Sequence, residues 1–215
     1  MAAKIKHLLF DAANTLIHKP QLWIKIQEVL KESGYNITDE KLMYNHKLIS
    51  ELINFPDRTN KDFYHHFNSE LLLSLGINPN DKMLNLLFEK CSYLPWESFA
   101  DCGELKSIDL PKSILSNFNS TLSNTISEKV NLQFNTIINS EIEGVRKPNI
   151  EFYNLAVSKL NCAANEILYI GDSLNLDYCP AKEVGMNSLV IDRINFFPKH
   201  DFIINSFSEI KTHLA

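Results

Sequence analysis

Five short apolar runs, each ending on polar residues, constrain this chain more than any other feature: Ile5–Phe10, Ser113–Leu115, Thr136–Ile138, Ile167–Ile170 and Ser188–Ile191. Runs of that length suit strands buried on both faces, where no polar side needs to be kept for water. The stretches between them carry helical spacing, as in Phe152, Leu155, Ala156 and Leu160. Such alternation predicts an α/β fold built on a doubly wound, Rossmann-like parallel sheet.

Between about Pro20 and Leu105 the strand-like runs disappear and amphipathic helical stretches follow one another. Leu22, Trp23, Ile26, Val29 and Leu30 make one stripe, closed by Gly34. Residues 41–52, 63–75 and 82–93 make three more, punctuated by Pro56, by Gly76 with Pro79, and by Pro95. The expected organisation is a core of residues 1–18 and 106–215 with an inserted α-helical domain at 19–105. Trp23, Phe63, Phe67, Trp96 and Phe99 are expected to pack that insert.

In open parallel sheets ligands bind beyond the carboxyl ends of the strands, so the polar residues after each run belong to one crevice. They form four groups: Asp11 with Thr15; Ser116 with Asn117; Arg146-Lys147-Pro148; and Gly171-Asp172-Ser173 with Asp177. Taken singly each has a plainer use. Asp11 could cap a turn, Ser116 and Asn117 a helix beginning near Asn119, Asp177 could answer a helix dipole, and Lys147 could be a surface charge before a helix opening at Pro148. Together they suit a substrate that carries phosphate. Magnesium takes hard oxygen ligands, which Asp11 and Asp172 could supply. A carboxylate such as Asp11 can attack phosphorus in line while Lys147 and Ser116 stabilise the equatorial oxygens.

Phe-Asp11-Ala-Ala-Asn-Thr15-Leu, Leu-Ser116-Asn117, Arg-Lys147-Pro and Ile-Gly-Asp172-Ser-Leu-Asn-Leu-Asp177 resemble, in order, the four motifs of the haloacid dehalogenase-like hydrolases. The resemblance covers about residues 4–17 and 106–204, and makes the helical insert that family's cap. It implies that Asp11 is the nucleophile and a magnesium ligand, with Ala13 offering its backbone carbonyl and Asp172 a further carboxylate. Asp177 would hold the metal's water shell or Lys147, and Thr15, Ser116 and Asn117 would be hydrogen-bonding members of the site. The implied activity is a magnesium-dependent hydrolase acting on a small phosphorylated or related anionic metabolite through an aspartyl intermediate.

One position departs from that pattern. The family's phosphatases carry a second aspartate two residues after the nucleophile, as general acid and base, and here that position is Ala13. Losing such a group forfeits about 10²–10⁴ in rate. Substrates whose leaving group needs no proton would escape the loss. The 2-haloacid dehalogenases and phosphonoacetaldehyde hydrolases of the same family also lack this aspartate. A catalytically weak phosphate-binding or regulatory protein on the same scaffold is the remaining alternative.

Composition narrows the partners. A net charge of −5 with no basic block gives no footprint for nucleic acid or an anionic membrane. The first residues read as neither a signal peptide nor a span, so a cytoplasmic protein is expected. Cys91, Cys102, Cys162 and Cys179 form no C-x-x-C pair and read as ordinary buried or half-buried thiols. The seven histidines show no metal-ligand spacing; His18, just past Thr15, could reach substrate.

Overall fold

In the computed structural model, which describes residues 4–214, the chain divides into two compact units. The first comprises residues up to His18 and from Glu97 onward; the second is Lys19–Trp96. The chain therefore returns to the first unit at Glu97, nine residues before the boundary expected at 106.

The first unit is built on strands β1 (His7–Phe10), then β2 (Ile17–His18). The second unit supplies α1 (Gln21–Glu32), α2 (Asp39–Leu52), α3 (Lys61–Ser74) and α4 (Asp81–Cys91). Back in the first unit follow β3 (Glu97–Ser98), β4 (Lys112–Ser116), α5 (Leu122–Lys129), β5 (Thr136–Asn139), α6 (Ser140–Glu143) and α7 (Ile150–Leu160). The chain then forms β6 (Ile167–Gly171), a π-turn at Leu174–Tyr178, α8 (Cys179–Glu183), β7 (Asn187–Ile191) and β8 (Ile203–Ile204).

Six strands form one sheet in the order β5-β4-β1-β6-β7-β8, every neighbouring pair parallel. This is the doubly wound α/β fold that the five runs predict. The runs are strands because β1, β4 and β6 are buried along their whole length, which only a sheet covered on both faces can offer. One covering layer packs Phe152, Tyr153 and Ala156 of α7 with Ala181 and Met186 against Leu9, Leu115, Ile138 and Tyr169. Two pairings were not expected: β8 extends one edge, and β2 pairs antiparallel with β3. Each of these strands has two residues, too few to show a period.

The second unit has its own core, in which Ile26, Val29 and Leu30 meet Leu42, Leu71, Leu72, Met83 and Leu87. Three of its helices, α2, α3 and α4, begin where a side chain satisfies a free amide: Thr38, Asn60 and Asn80 accept from the N–H groups of Lys41, Phe63 and Met83. Gly34 and Gly76, with φ angles of 85° and 82°, close α1 and α3. Trp23, Phe63 and Phe67 pack among these helices. Phe99 does not; it belongs to the first unit and stacks on His18 at 4.1 Å. Among the described residues no helix is long and apolar enough to cross a membrane. Cys102 is buried, Cys91 and Cys162 are half-buried, and Cys179 is exposed, against the expectation for that thiol.

Candidate active site

Register brings the four polar groups together. Phe10 lies level with Ile114 of β4 and Ile170 of β6, so the residues that follow each strand emerge at one edge of the sheet. Asp11 is fixed there by its own amide, which donates to the Ile170 carbonyl at 2.9 Å. From Ala12 the chain turns sharply: the amides of Leu16 and Ile17 both donate to the Ala12 carbonyl, at 2.9 and 3.0 Å. Asn14 takes a φ of 60°, a left-handed conformation that asparagine tolerates better than most residues.

The Asp11 carboxylate is buried, at 5% exposure, and both its oxygens accept hydrogen bonds from this chain. Its Oδ1 accepts from Lys147 Nζ at 2.6 Å and from the Ser116 hydroxyl at 3.0 Å; its Oδ2 accepts from the Thr15 hydroxyl at 3.3 Å. Lys147 also donates to Asp177 Oδ1 at 2.6 Å and to the Tyr169 hydroxyl at 3.1 Å. All three ammonium protons therefore have oxygen partners within the site. Asn117 makes no contact with Asp11 in this network. It clamps the Lys147 backbone instead, donating to the carbonyl at 3.0 Å and accepting from the amide at 2.8 Å.

Asp177 comes from the π-turn after β6, and its Oδ2 accepts from the Ser173 amide at 3.0 Å. Gly171 is required beside it, since a Cβ there would overlap the Asp177 carboxyl group. Oxygens of Asp11, Asp172 and Asp177 lie within 4.8 Å of one another, a spacing that a single oxygen-ligated cation can bridge. Ala13 sits half-buried in the turn, bridged to Ile17, and brings no acid of its own.

Electrostatics follow from this crowding. Burial pushes the Asp11 carboxyl up to about 6, Lys147 opposes the rise, and the Asp177 and Asp172 carboxylates reinforce it. For Lys147 burial acts to lower the ammonium, but Asp11 and Asp177 outweigh it and hold the pKa above the usual lysine value. Burial and the neighbouring Asp177 push the Tyr169 phenol well up, so its hydroxyl stays protonated and donates to Asp177 at 2.7 Å.

The structure thus joins Asp11, Thr15, Ser116, Lys147, Asp172 and Asp177 in one cluster, with Asn117 one step behind Lys147. The plainer uses fail for three of them. The helix after β4 starts at Leu122 behind Thr121, not at Ser116 or Asn117, and α7 is capped by Asn149, two residues beyond a buried Lys147. Tyr169 was missed by sequence reasoning because a tyrosine in an apolar strand reads as filling. The available signal was its hydroxyl, which needs a partner when the ring is buried.

A doubly wound α/β sheet with a carboxylate–lysine cluster across its carboxyl edge defines a class of protein that handles small ligands at that edge. The chain belongs to the haloacid dehalogenase-like hydrolases, whose family model matches residues 5–185. It is 33% identical over 82 residues to the glyceraldehyde 3-phosphate phosphatase of Methanocaldococcus jannaschii, covering 36% of each chain. The matched part is about a third or less of the length of the curated relatives. Among solved structures, a Bacillus subtilis protein classed as a HAD-hydrolase and bound to magnesium shares 18% identity at a TM-score of 0.66, over 99% of both chains. The L-2-haloacid dehalogenase from Xanthobacter autotrophicus shares 18% identity at a TM-score of 0.60, over 97% of both chains. These two likenesses speak to the fold.

Proposed function

We propose that this protein is a magnesium-dependent phosphohydrolase in which Asp11 takes a phosphoryl group from a small phosphorylated metabolite and water then removes it. The observation that carries this is the Asp11 carboxylate, held at a strand end by Lys147 and Ser116 within reach of Asp172. The name of one relative, glyceraldehyde 3-phosphate phosphatase, supports the substrate class.

The donor set fits a divalent cation. Three carboxylates face one ammonium, which leaves an excess of two negative charges when all are ionised. Asp11 and Asp172 would hold the ion with the Ala13 carbonyl, and Asp177 keeps Lys147 in place through its 2.6 Å bond. Bound there, magnesium would screen the anionic nucleophile from an anionic substrate.

The chain's own groups account for the rest. Asp11 Oδ2 has one long bond, to Thr15, and so keeps a lone pair for phosphorus, while Oδ1 stays tied to Lys147 and Ser116. As the new O–P bond forms, the bond to the leaving oxygen breaks in line. Ala13 supplies no proton to that oxygen. It therefore departs as an anion, which favours acyl phosphates and esters of acidic alcohols over ordinary alkyl esters.

The test is turnover of a panel of phosphate esters and acyl phosphates with magnesium, wild type against Asp11→Asn. Turnover lost in the variant supports the reading; no turnover above the variant's background with any substrate overturns it. Metal-independent halide release from a 2-haloacid would replace it with a dehalogenase. Binding of magnesium and phosphate without turnover would replace it with the phosphate-binding alternative that Ala13 motivates.

A further inference from the structure

The turn that carries Asp11 and Thr15 is gripped from behind by residues outside the four polar groups. Arg193 follows β7, and its Nη2 donates to the Thr15 carbonyl at 2.9 Å. The next carbonyl, that of Leu16, accepts from the Phe99 amide at 3.0 Å and the Cys102 thiol at 3.3 Å. Donors from two distant segments thus engage two consecutive carbonyls of one short turn.

Arg193 is itself held through both terminal nitrogens and both faces of its guanidinium. Its Nη1 donates to Asp101 Oδ2 at 2.6 Å, and its guanidinium carbon lies 4.1 Å from the Phe99 ring centre and 4.7 Å from that of Phe207. Asp101 is bound in turn by the Phe207 amide at 2.9 Å and the Ser206 hydroxyl at 3.2 Å. A planar guanidinium between two rings, with one arm on a carboxylate and the other on a carbonyl, has a single orientation. Thr15 is the shared element: its carbonyl takes Arg193, and its hydroxyl donates to Asp11 Oδ2.

We infer that Arg193, oriented by Asp101, is a positioning residue that sets the Thr15 turn and through it the Asp11 carboxylate. The inference rests on the nucleophilic role proposed for Asp11. It accounts for an arginine with only 14% of its side chain exposed, spent on a backbone carbonyl of the site. Lysine at this position could keep the charge beside Asp101 but could not span both partners.

The experiment compares wild type, Arg193→Lys, Thr15→Val and the double variant with magnesium and para-nitrophenyl phosphate, and follows amide hydrogen exchange in the same proteins. Arg193→Lys is expected to lower kcat about tenfold with KM within about twofold, as small misplacements of reacting groups do. Leu16 and Ile17 amides should exchange faster while Leu189 and Val190 in β7 do not. The double variant should lose little beyond the larger single loss, because both act through one turn. Unchanged exchange at Leu16 and Ile17, a loss that multiplies in the double variant, or faster exchange throughout β7 would each overturn the inference. If wild type turns over neither para-nitrophenyl phosphate nor any member of the phosphate ester and acyl phosphate panel, the phosphohydrolase reading fails and the exchange comparison still decides the clamp. Should Arg193→Lys not fold, Asp101→Asn loosens the same guanidinium and takes its place, with the same outcomes.

Discussion

In the proposed reaction, Ala13 is the residue on which the choice of leaving group turns. Both carboxylate oxygens of Asp11 have donors, yet the turn holds no second acid to give a proton to a leaving group. With Ala13→Asp, hydrolysis of an alkyl phosphate should rise by about 10²–10⁴, while an acyl phosphate, whose leaving group needs no proton, should gain far less. Steady-state rates on the two substrates check this, and equal gains on both would sink the leaving-group argument. The residues after the apolar runs were legible because a buried parallel strand must put its polar exit at the sheet's edge. Tyr169 and Arg193 were not. Tyr169 hides its hydroxyl inside a strand, and Arg193 acts on a backbone carbonyl, which leaves no pattern of side-chain types to find.

At the scale of elements, β6 and the π-turn behind it work as one piece, since Gly171 lets the Asp177 carboxyl close over the strand end. Gly171→Ala should cost about 1–3 kcal/mol by overpacking and pull Asp177 from Lys147, lowering activity more than the loss of stability explains. Denaturant unfolding beside turnover separates the two effects; a variant of wild-type stability and rate would show that the closeness is dispensable. In α2, His46 lies between Trp23 and Phe67, at 4.9 Å from each ring. Burial, with Lys47 adding to it, lowers its pKa to about 4. A histidine depressed in the folded state binds its proton more readily when unfolded, so its contribution is complete above about pH 6.5. That contribution is lost as the pH falls toward 4. Thermal unfolding should show the loss over that window, and His46→Gln should flatten it; an unchanged slope would refute the assignment. The helices of this unit were legible from their stripes, whereas the two-residue strands β2, β3 and β8 are too short for any period to register.

For the whole molecule, the sequence marked two regions by a change of period, but it placed the return to the first unit at 106 because residues 97–105 carry neither pattern strongly. The structure returns at Glu97, where β3 meets β2. The helical unit is one continuous piece with a core of its own, from Ile26 to Leu87. A peptide of residues 19–96 should therefore give a helical circular dichroism spectrum and a cooperative, if shallow, melt, as befits a small domain. A random-coil spectrum would show that its core depends on the rest of the chain. The sheet has no such independence. Strand β1 lies between β4 and β6, with Leu8 paired to Lys112 and to Leu168. During synthesis at roughly 5–20 residues per second, His-Leu-Leu-Phe emerges on the order of 5–20 s before its first partner exists. The helical insert is made in that interval, so the apolar segment that leads into Asp11 must wait unpaired, exposed to any chaperone that reads such strands.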